Sequence, residues 1–316
     1  MVSLKQLRYF DSVARLGHFG RAADNCAISQ PALSMQIQEL ERELKLDLIE
    51  RRRTGIRLTE DGREIARRAA RILAETRDLA DYARHRGGGL AGPLHLGIIP
   101  SVAPYLLPRL LPRLQRSFPE LELHVRETQT KQLTQELMEG GLDLLLVALP
   151  VEHPEIETIR LFEDRFLLAL PPGRRIDSRV RATPDLVKQD RLLLLEEGHC
   201  MRDQALTFCH LRRIENIDTF GASSLSTLVQ MVANGLGLTL LPEICLDVEA
   251  REGVLNVMRF VDPEPSRTLG LAWRGSSPRK RDFVQFGQLI EQARRAGAPS
   301  SDAPAQTSLA IGGAPA

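Results

Sequence analysis

Apolar strand patterns alternate with helical patterns through the middle of this 316-residue chain, and this alternation limits the possible folds more than any other feature. The strand-like segments lie at residues 93–99, 121–125, 142–149, 192–195 and 239–241. The helical segments lie at residues 104–118, 133–139 and 225–233. Parallel strands need a crossover of about a dozen or more residues, usually a helix. The pattern therefore predicts α/β units with parallel sheets and right-handed crossovers.

Functional residue types follow three of the strand-like segments, at residues 100–101 (Pro-Ser), 128–130 (Thr-Gln-Thr) and 198–200 (Gly-His-Cys). In open α/β folds, ligands bind outside the carboxyl ends of the strands, so these residues form a candidate site. Hydroxyl groups in such positions also commonly cap the next helix. Helix capping is therefore the alternative role for Ser101 and Thr130.

The first forty-four residues predict three short helices in a helix-turn-helix arrangement. Ser3 can cap the first helix, and small residues at 17–23 allow the second helix to cross it closely. Ser29 can cap the third helix, with a proline in its first turn. The residues of the third helix that could contact base edges or phosphates are Gln30, Pro31, Ser34, Met35 and Gln38. A solvated helix face without a partner is the alternative.

Two short apolar runs flank a glycine turn at residues 48–58 and predict a β-wing. Arg51, Arg52 and Arg53 in this wing suit phosphate contact or minor-groove insertion. One long amphipathic helix is predicted from residue 59 to about residue 86. A long helix outside a globular core needs a partner, so we expect dimerisation through it, with a glycine hinge following.

The charge of the chain is unevenly distributed. Residues 1–90 contain 17 Lys and Arg against 13 Asp and Glu, which gives +4, and the remainder carries −3. A basic amino-terminal module beside a mildly acidic body is typical of a protein with a polyanionic partner. The sequence has no apolar run of about 18 residues and no apolar signal core, so we expect a cytoplasmic protein without a membrane partner.

Cys200 and Cys209 are separated by eight residues, with His199 and Arg202 beside Cys200. Neighbouring cations stabilise the thiolate, which is the reactive form of a cysteine. If residues 200–209 were helical, the two Cα atoms would lie roughly 13 Å apart. A disulfide needs a separation of about 4.4–6.8 Å, so the pair could close only if the segment between them rebuilt. Such a pair would be a switch rather than a structural link.

Two other roles for the cysteines stay open. Free cysteines often serve as small buried apolar residues, which is our interpretation of Cys26 and Cys245 among their apolar neighbours. Zinc is a further alternative for the segment, although adjacent His and Cys side chains reach one ion poorly, and we predict no metal or other cofactor. The four potential zinc ligands are His199, Cys200, Cys209 and His210.

The sequence resembles the LysR-type transcriptional regulators over roughly residues 2 to 293. The motifs that carry the resemblance are Phe-Gly-Arg-Ala-Ala at 19–23, Ser-Gln-Pro-Ala-Leu-Ser at 29–34 and Leu-Thr-Glu-Asp-Gly at 58–62. The resemblance implies a winged helix-turn-helix domain, a long linker helix and a two-lobed α/β effector domain like a periplasmic binding protein.

On this basis we expect the DNA-binding domain at 1–58, the linker helix and hinge at 59–91 and the regulatory domain at 92–296. Its first lobe would comprise residues 92–162 and 268–296, and its second lobe residues 163–267. The composition of residues 297–316, rich in Ala, Pro, Ser and Gly, predicts a disordered tail.

Within that family the chain resembles the hydrogen-peroxide-sensing OxyR branch. The residues that carry this resemblance are the segments 98–108, 127–130, 198–205 and 267–271, together with Cys209. The resemblance implies that Cys200 is oxidised and forms a reversible disulfide with Cys209. It also implies that Ser101, Thr130, His199 and Arg267 bind or activate peroxide. Ser101 stands where the branch commonly has threonine, so peroxide positioning should be slightly looser.

The same resemblance implies the partners of the protein. They are promoter DNA, RNA polymerase, hydrogen peroxide as the signal, a glutaredoxin- or thioredoxin-type reductant, and further copies of the chain in a homodimer that assembles into a homotetramer. One alternative is a LysR-type regulator that senses a small metabolite between the lobes. A thiol peroxidase is another alternative, although a peroxidase does not need the DNA-binding module, and we do not expect an enzyme.

Overall fold

The computed structural model describes the chain except for residues 53–54, 85–89, 175–179, 189, 212–221, 252 and 296–316. At residues 51, 52, 55, 81, 83, 84 and 209–211 it describes the backbone alone. Arg53, the predicted hinge at 87–89 and the predicted tail at 297–316 therefore lie outside the described residues.

The amino-terminal module contains the helices α1 (Leu4–Leu16), α2 (Phe19–Asn25) and α3 (Gln30–Leu44). Ser3 caps α1 and Ser29 caps α3, which confirms both predicted caps. The helices enclose a core of side chains that are at most 2% exposed, namely Tyr9, Phe10, Val13, Ala22, Ala23, Leu33, Ile37, Leu40 and Leu48. This packing of α3 on α1 and α2 leaves its opposite face open to a partner.

A two-stranded wing and a long helix complete this part of the chain. The strands β1 (Ile49–Arg52) and β2 (Gly55–Leu58) pair antiparallel, as predicted. The helix α4 spans Glu60–Arg84, and the Thr59 hydroxyl accepts a hydrogen bond from the Gly62 amide at 2.8 Å at its start. The long predicted helix is therefore confirmed over its described length.

The regulatory region combines strands and helices in the predicted alternation. Its strands are β3 (Gly92–Ile98), β4 (Leu121–Glu127), β5 (Leu144–Leu149), β6 (Ile156–Leu170), β7 (Thr239–Pro242), β8 (Asn256–Met258) and β9 (Ser266–Arg274). Its helices are α5 (Ala103–Ser117), α6 (Thr130–Met138), α7 (Pro184–Lys188), α8 (Cys200–Leu211), α9 (Leu225–Ala233), α10 (Leu246–Glu249) and α11 (Lys280–Arg295). A 3₁₀ turn at Glu243–Cys245 precedes α10.

The sheet is mixed rather than purely parallel. Its strand order is β4-β3-β5-β9-β6-β7, with β8 also paired to β6. β3 is parallel to β4 and β5, as the alternation predicts. The long strands β6 and β9, however, pair antiparallel with each other, because the chain returns to the first lobe after building the second. The leucine run at 192–195 forms isolated bridges instead of a regular strand.

Two apolar cores lie in the described part of the regulatory region. The first takes its buried residues from 90–162 and 269–293, and the second from 166–260 together with Tyr105. The strand β6 passes between them, with Phe162 in one core and Phe166 in the other. The molecule thus has the two-lobed α/β architecture that the sequence predicts.

The linker helix α4 packs against the first lobe through a buried ion pair. Arg274 donates to the Asp78 carboxylate at 3.0 and 3.2 Å and to the carbonyl oxygens of Leu137 and Leu142 at 2.9 and 2.8 Å. Gly140 has a φ of +73°, and a Cβ atom there would lie 2.2 Å from the Ala74 Cβ on α4. This close approach requires glycine.

None of the helices in the described part of the chain could cross a membrane.

Candidate functional site

Three connections meet around a small cavity between the lobes. The cavity is lined by Ile99, Pro100, Ser101, Gln129, Thr130, His199, Cys200 and Met201. Residues 99–101 follow β3, residues 129–130 lie at the start of α6, and residues 199–201 lie at the start of α8. The structure therefore brings together the segments that the strand-end argument predicts. The cavity volume is ≈ 10 Å³, room for one water-sized molecule.

The Cys200 thiol faces this cavity from the first position of α8 and is half-buried. Burial has the largest effect on this group and raises the pKa of the thiol. The Arg267 guanidinium and the Thr130 hydroxyl lower that pKa, and Asp203 raises it. The site therefore combines burial, which favours the neutral thiol, with neighbouring groups that favour its anion. His199 next to it is also buried.

Arg267 connects the two lobes at this site. Its Nη1 donates to the Ser101 hydroxyl at 2.7 Å, and its Nη2 donates to the Ser101 carbonyl at 3.2 Å. Its Nε donates to the Asp164 carboxylate at 2.9 Å. The side chains of Arg267 and Asp164 are 0% and 2% exposed. Because Arg267 is anchored on two sides, its charge has a fixed position relative to Cys200.

Neither predicted site hydroxyl caps a helix. Val102 and Gln129 hold the cap positions of α5 and α6, and neither makes a side-chain capping bond. Ser101 binds Arg267 instead, while the buried Thr130 Oγ1 makes no regular hydrogen bond within the described part of the chain. Thr130 nevertheless lies close enough to the Cys200 sulfur to lower the pKa of the thiol. An uncommitted hydroxyl in this position can bind a small polar ligand.

Gly198 and Gln129 fix the loop before Cys200. Gly198 has a φ of +93°, and a Cβ atom there would lie 2.3 Å from the Gln129 Oε1. The Gln129 Nε2 also donates to the Glu197 carbonyl at 3.5 Å, a long hydrogen bond. A side chain at residue 198 would therefore displace Gln129 from the cavity wall.

Sequence reasoning did not select Gln129 or Asp164 as site residues. Gln129 stands between Thr128 and Thr130 in the predicted strand-end segment, so its position in the sequence was a usable signal. Asp164 lies within a long strand and becomes part of the site through its pairing with Arg267 across the ladder. No local pattern in the sequence indicates that pairing.

Cys209 lies in the last turn of α8, the helix that Cys200 begins. At a rise of about 1.5 Å per residue, their Cα atoms are roughly 13 Å apart. The helical condition of the sequence argument is thus confirmed. The Cys209 and His210 side chains lie outside the described residues, so the zinc alternative stays untested. Elsewhere in the described part, no cluster of three or more His, Cys, Asp or Glu could hold a metal ion.

The predicted DNA-contacting residues lie on the outer side of α3 and in the wing. Met35 is 65% exposed, Gln30, Pro31 and Gln38 are exposed, and Ser34 is half-buried. Arg51 and Arg52 lie in β1, where only the backbone is described. The described residues of α3 thus form one face opposite the core.

The two remaining cysteines pack into apolar surroundings. Cys26 is half-buried against the helix-turn-helix core. Cys245 is completely buried, its Sγ donates to the Pro242 carbonyl at 3.0 Å, and burial raises its pKa well above the usual value. Both positions agree with the predicted packing role.

Two family profiles match the chain. The profile of the bacterial regulatory helix-turn-helix proteins of the lysR family covers residues 4–63, and the LysR substrate binding domain profile covers residues 87–295. The winged module, the linker helix and the two-lobed region therefore define a LysR-type regulator, and the chain belongs to the LysR family.

Relatives place the chain in the OxyR branch of that family. It is 38% identical over 289 residues to the DNA-binding transcriptional dual regulator OxyR of Escherichia coli (strain K12), covering 92% of this chain and 95% of the relative. It resembles full-length OxyR of Pseudomonas aeruginosa with a cysteine-to-aspartate substitution, at 36% identity, a TM-score of 0.79 and coverage of 92% and 95%. A hydrogen-peroxide-bound OxyR of Corynebacterium glutamicum with a cysteine-to-serine substitution matches at 34% identity, a TM-score of 0.66 and coverage of 93% of each chain.

Proposed function

We propose that this chain is a peroxide-responsive transcriptional regulator in which hydrogen peroxide oxidises Cys200, which then forms a reversible disulfide with Cys209. The observation that carries the proposal is the cavity at Cys200. It has room for one very small molecule and is lined by the Ser101 and Thr130 hydroxyls and by His199, with Arg267 anchored to Ser101. The relative bound to hydrogen peroxide supports the same ligand.

The chemistry is a two-electron oxidation. The Cys200 thiolate attacks one peroxide oxygen and breaks the O–O bond, which gives a sulfenic acid and a hydroxide that leaves as water after protonation. Thr130 and Ser101 orient the peroxide, and His199 and Arg267 favour the developing charges. The Cys209 thiol then condenses with the sulfenic acid, releasing a second water and forming the disulfide. One peroxide is reduced to two waters for each disulfide formed.

Closing this bond requires α8 to unwind, because the two Cα atoms must approach from roughly 13 Å to about 4.4–6.8 Å. Cys200, Met201 and Ala205 pack on the lobe cores, so unwinding changes the packing of the second lobe. That change would alter how the subunits pair and how their helix-turn-helix modules are spaced. Promoter contacts and the recruitment of RNA polymerase would change as a result, with activation of antioxidant genes as the expected output.

The assembly that transmits the change is a homodimer joined through α4, paired further into a homotetramer. On α4, Ile72, Leu79 and Tyr82 are 46%, 71% and 58% exposed, an apolar stripe that a second helix can cover. A glutaredoxin- or thioredoxin-type dithiol would reduce the disulfide and reset the protein. Such a switch is a regulator rather than an enzyme, and it works in a reducing cytoplasm.

A metabolite regulator is disfavoured by the size of the site. A small organic effector usually occupies a pocket of about 300 Å³ or more. The cavity at Cys200 offers ≈ 10 Å³ and places a thiol in its wall.

Cys200→Ser tests the function directly. We expect the variant to bind DNA selected in vitro by the reduced wild-type protein, but its footprint should not change when peroxide is added. Cys26→Ala, in the helix-turn-helix core, is the matched control and should keep the peroxide-dependent change. A peroxide response that survives Cys200→Ser would refute the assignment of the reacting thiol. Rapid turnover with a thiol reductant, in which many peroxide equivalents are consumed per protein, would support the peroxidase alternative.

A further inference from the structure

We propose that Asp164 is a positioning residue for the Cys200 thiol, acting through Arg267. The proposal rests on the proposed function in that Cys200 is taken as the reacting thiol. Asp164 on β6 stands directly opposite Arg267 on β9 in the antiparallel ladder. Both side chains are buried, so the pair is part of the core beside the site and not a surface ion pair.

The contacts of the Asp164 carboxylate determine where the guanidinium lies. Its Oδ2 accepts from the Arg267 Nε at 2.9 Å, and Nη2 is also 2.9 Å away. Its Oδ1 accepts from the Ile244 backbone amide at 3.0 Å. Nη1 of the same guanidinium is thereby directed at the Ser101 hydroxyl, 2.7 Å away. Asp164 therefore holds the group that binds a cavity-lining hydroxyl.

The same pairing sets the charge that the thiol experiences. Arg267 faces Cys200 from β9, the Thr130 hydroxyl faces it from α6, and Asp203 lies on its own helix. Burial raises the pKa of Asp164, but two N–H groups donate to its oxygens and the Arg267 Nη2 lies 2.9 Å from Oδ2, contacts that favour the ionised carboxylate. Held against this guanidinium, an ionised Asp164 opposes its positive charge at Cys200. The Asp164 carboxylate thus controls both the position of the Arg267 guanidinium and the net charge near the Cys200 thiol. Substitutions can separate these two effects.

Asp164→Asn keeps an oxygen acceptor and removes the charge. In the reduced full-length protein we would measure the rate of Cys200 alkylation by iodoacetamide against pH, following the Cys200 peptide by mass spectrometry. We expect the midpoint to fall by about one pH unit, which means about tenfold more thiolate below the midpoint. Glu163→Gln is the matched control, because this neighbouring carboxylate binds Arg160, Ser266 and Thr268 at the surface. The alkylation midpoint of Cys200 should not move in this variant. An unchanged midpoint in folded Asp164→Asn would overturn the proposal.

A second comparison decides the matter if Asp164→Asn does not fold. Arg267→Lys keeps a cation beside Asp164, whereas the double variant Asp164→Asn, Arg267→Lys keeps the cation and removes the carboxylate charge. We expect the alkylation midpoint of Cys200 to be lower in the double variant than in Arg267→Lys alone. Equal midpoints would show that Asp164 has no effect on the thiol. Alkylation needs no peroxide, so failure of wild-type Cys200 to react with peroxide would contradict the proposed function while leaving this test intact.

Discussion

At the scale of residues, the site depends on a thiol whose burial opposes the ionisation that its reaction requires. Burial raises the pKa of Cys200, while Arg267 and Thr130 lower it. Below its pKa, a thiol loses about tenfold of its thiolate for each pH unit. In the proposed mechanism, the groups around Cys200 act by changing the fraction of thiolate and by holding the oxidant next to it.

Thr130→Val should slow the oxidation of Cys200. Valine keeps the shape of threonine but cannot stabilise the thiolate by a hydrogen bond, so the pKa of Cys200 rises further. We expect the rate with peroxide at neutral pH to fall roughly tenfold, and the rate–pH curve to move to higher pH. Stopped-flow measurements across pH would show this. Thr134→Val, one turn later on α6, is the control, and an equal effect there would contradict the role given to Thr130.

The sequence predicted which residues form this site better than it predicted the contacts between them. Ser101, Thr130 and Cys200 follow strand-like segments, and the general rule for strand ends was sufficient to bring them together. The link from Arg267 to Asp164 depends on the register of two strands about one hundred residues apart, which no local periodicity encodes. Gln129 was accessible to the same strand-end rule but was not selected.

At the scale of elements, α8 is the part that must change in the proposed switch. The helix joins Cys200 and Cys209 and keeps them too far apart to bond, so its stability opposes disulfide formation. Its length, about three turns, is short for a helix that must be stable on its own. Packing of Met201 and Ala205 into the second core holds it in place.

Substitutions at Thr207 should change the rate of closure without changing the first oxidation. Thr207 is exposed in α8, and its hydroxyl donates to the Asp203 carbonyl at 2.8 Å. Thr207→Ala should stabilise the helix by about 0.5 kcal/mol, and Thr207→Gly should destabilise it by a few tenths of a kcal/mol. Closure should therefore be several-fold slower in the alanine variant than in the glycine variant, while sulfenic acid forms equally fast in both. Equal closure rates would mean that α8 need not unwind.

Elements with a clear period were predicted well, and elements defined by distant partners were not. The helices α1, α3 and α9 follow apolar periodicity and capping residues, and α5 follows apolar periodicity alone. These are local properties of the chain. The leucine run at 192–195 is as apolar as a buried strand, yet within the described residues it forms only two isolated bridges, one to Leu238 and one to Ala222, which are distant in the sequence. The antiparallel pairing of β6 and β9 likewise depends on where the chain returns to the first lobe. The alternation of strand and helix patterns in the sequence does not reveal that point.

At the scale of the whole molecule, α4 connects the DNA-binding module to the regulatory lobe. The buried pair of Asp78 and Arg274 and the glycine contact at Gly140 dock α4 on the first lobe. A movement of that lobe can therefore reach the helix through a rigid contact. In the proposed dimer, the apolar stripe of α4 would carry the change to a second subunit.

Asp78→Ala should weaken this connection strongly. It leaves the Arg274 guanidinium buried without its carboxylate partner, and breaking a buried pair from one side costs about 3–5 kcal/mol. Urea unfolding followed by circular dichroism would give the loss in the free energy of unfolding. Glu75→Ala is the control, because Glu75 is exposed on the same helix, and its effect should stay within about 0.5 kcal/mol. Equal losses in the two variants would contradict the role of the buried pair.

Leu79→Glu should weaken the association of subunits. Leu79 is 71% exposed on α4, and a charge in an apolar helix–helix seam must be desolvated when a partner covers it. Sedimentation velocity should show a shift from dimers or larger species toward monomers, with unchanged unfolding of the regulatory domain. Ala80→Glu introduces the same charge at the next position, which is exposed and lies about 100° around the helix from Leu79, and it should leave the assembly unchanged. Association that persists in Leu79→Glu would place the interface elsewhere.

The most direct test of the redox switch is to map the disulfides after treating reduced protein with a few equivalents of hydrogen peroxide. Free thiols would be trapped, and the peptides identified by mass spectrometry with and without dithiothreitol. We expect rapid formation of a Cys200–Cys209 link that dithiothreitol reverses, with Cys26 and Cys245 still free. Cys200 and Cys209 recovered as unreacted thiols would contradict peroxide sensing at this site.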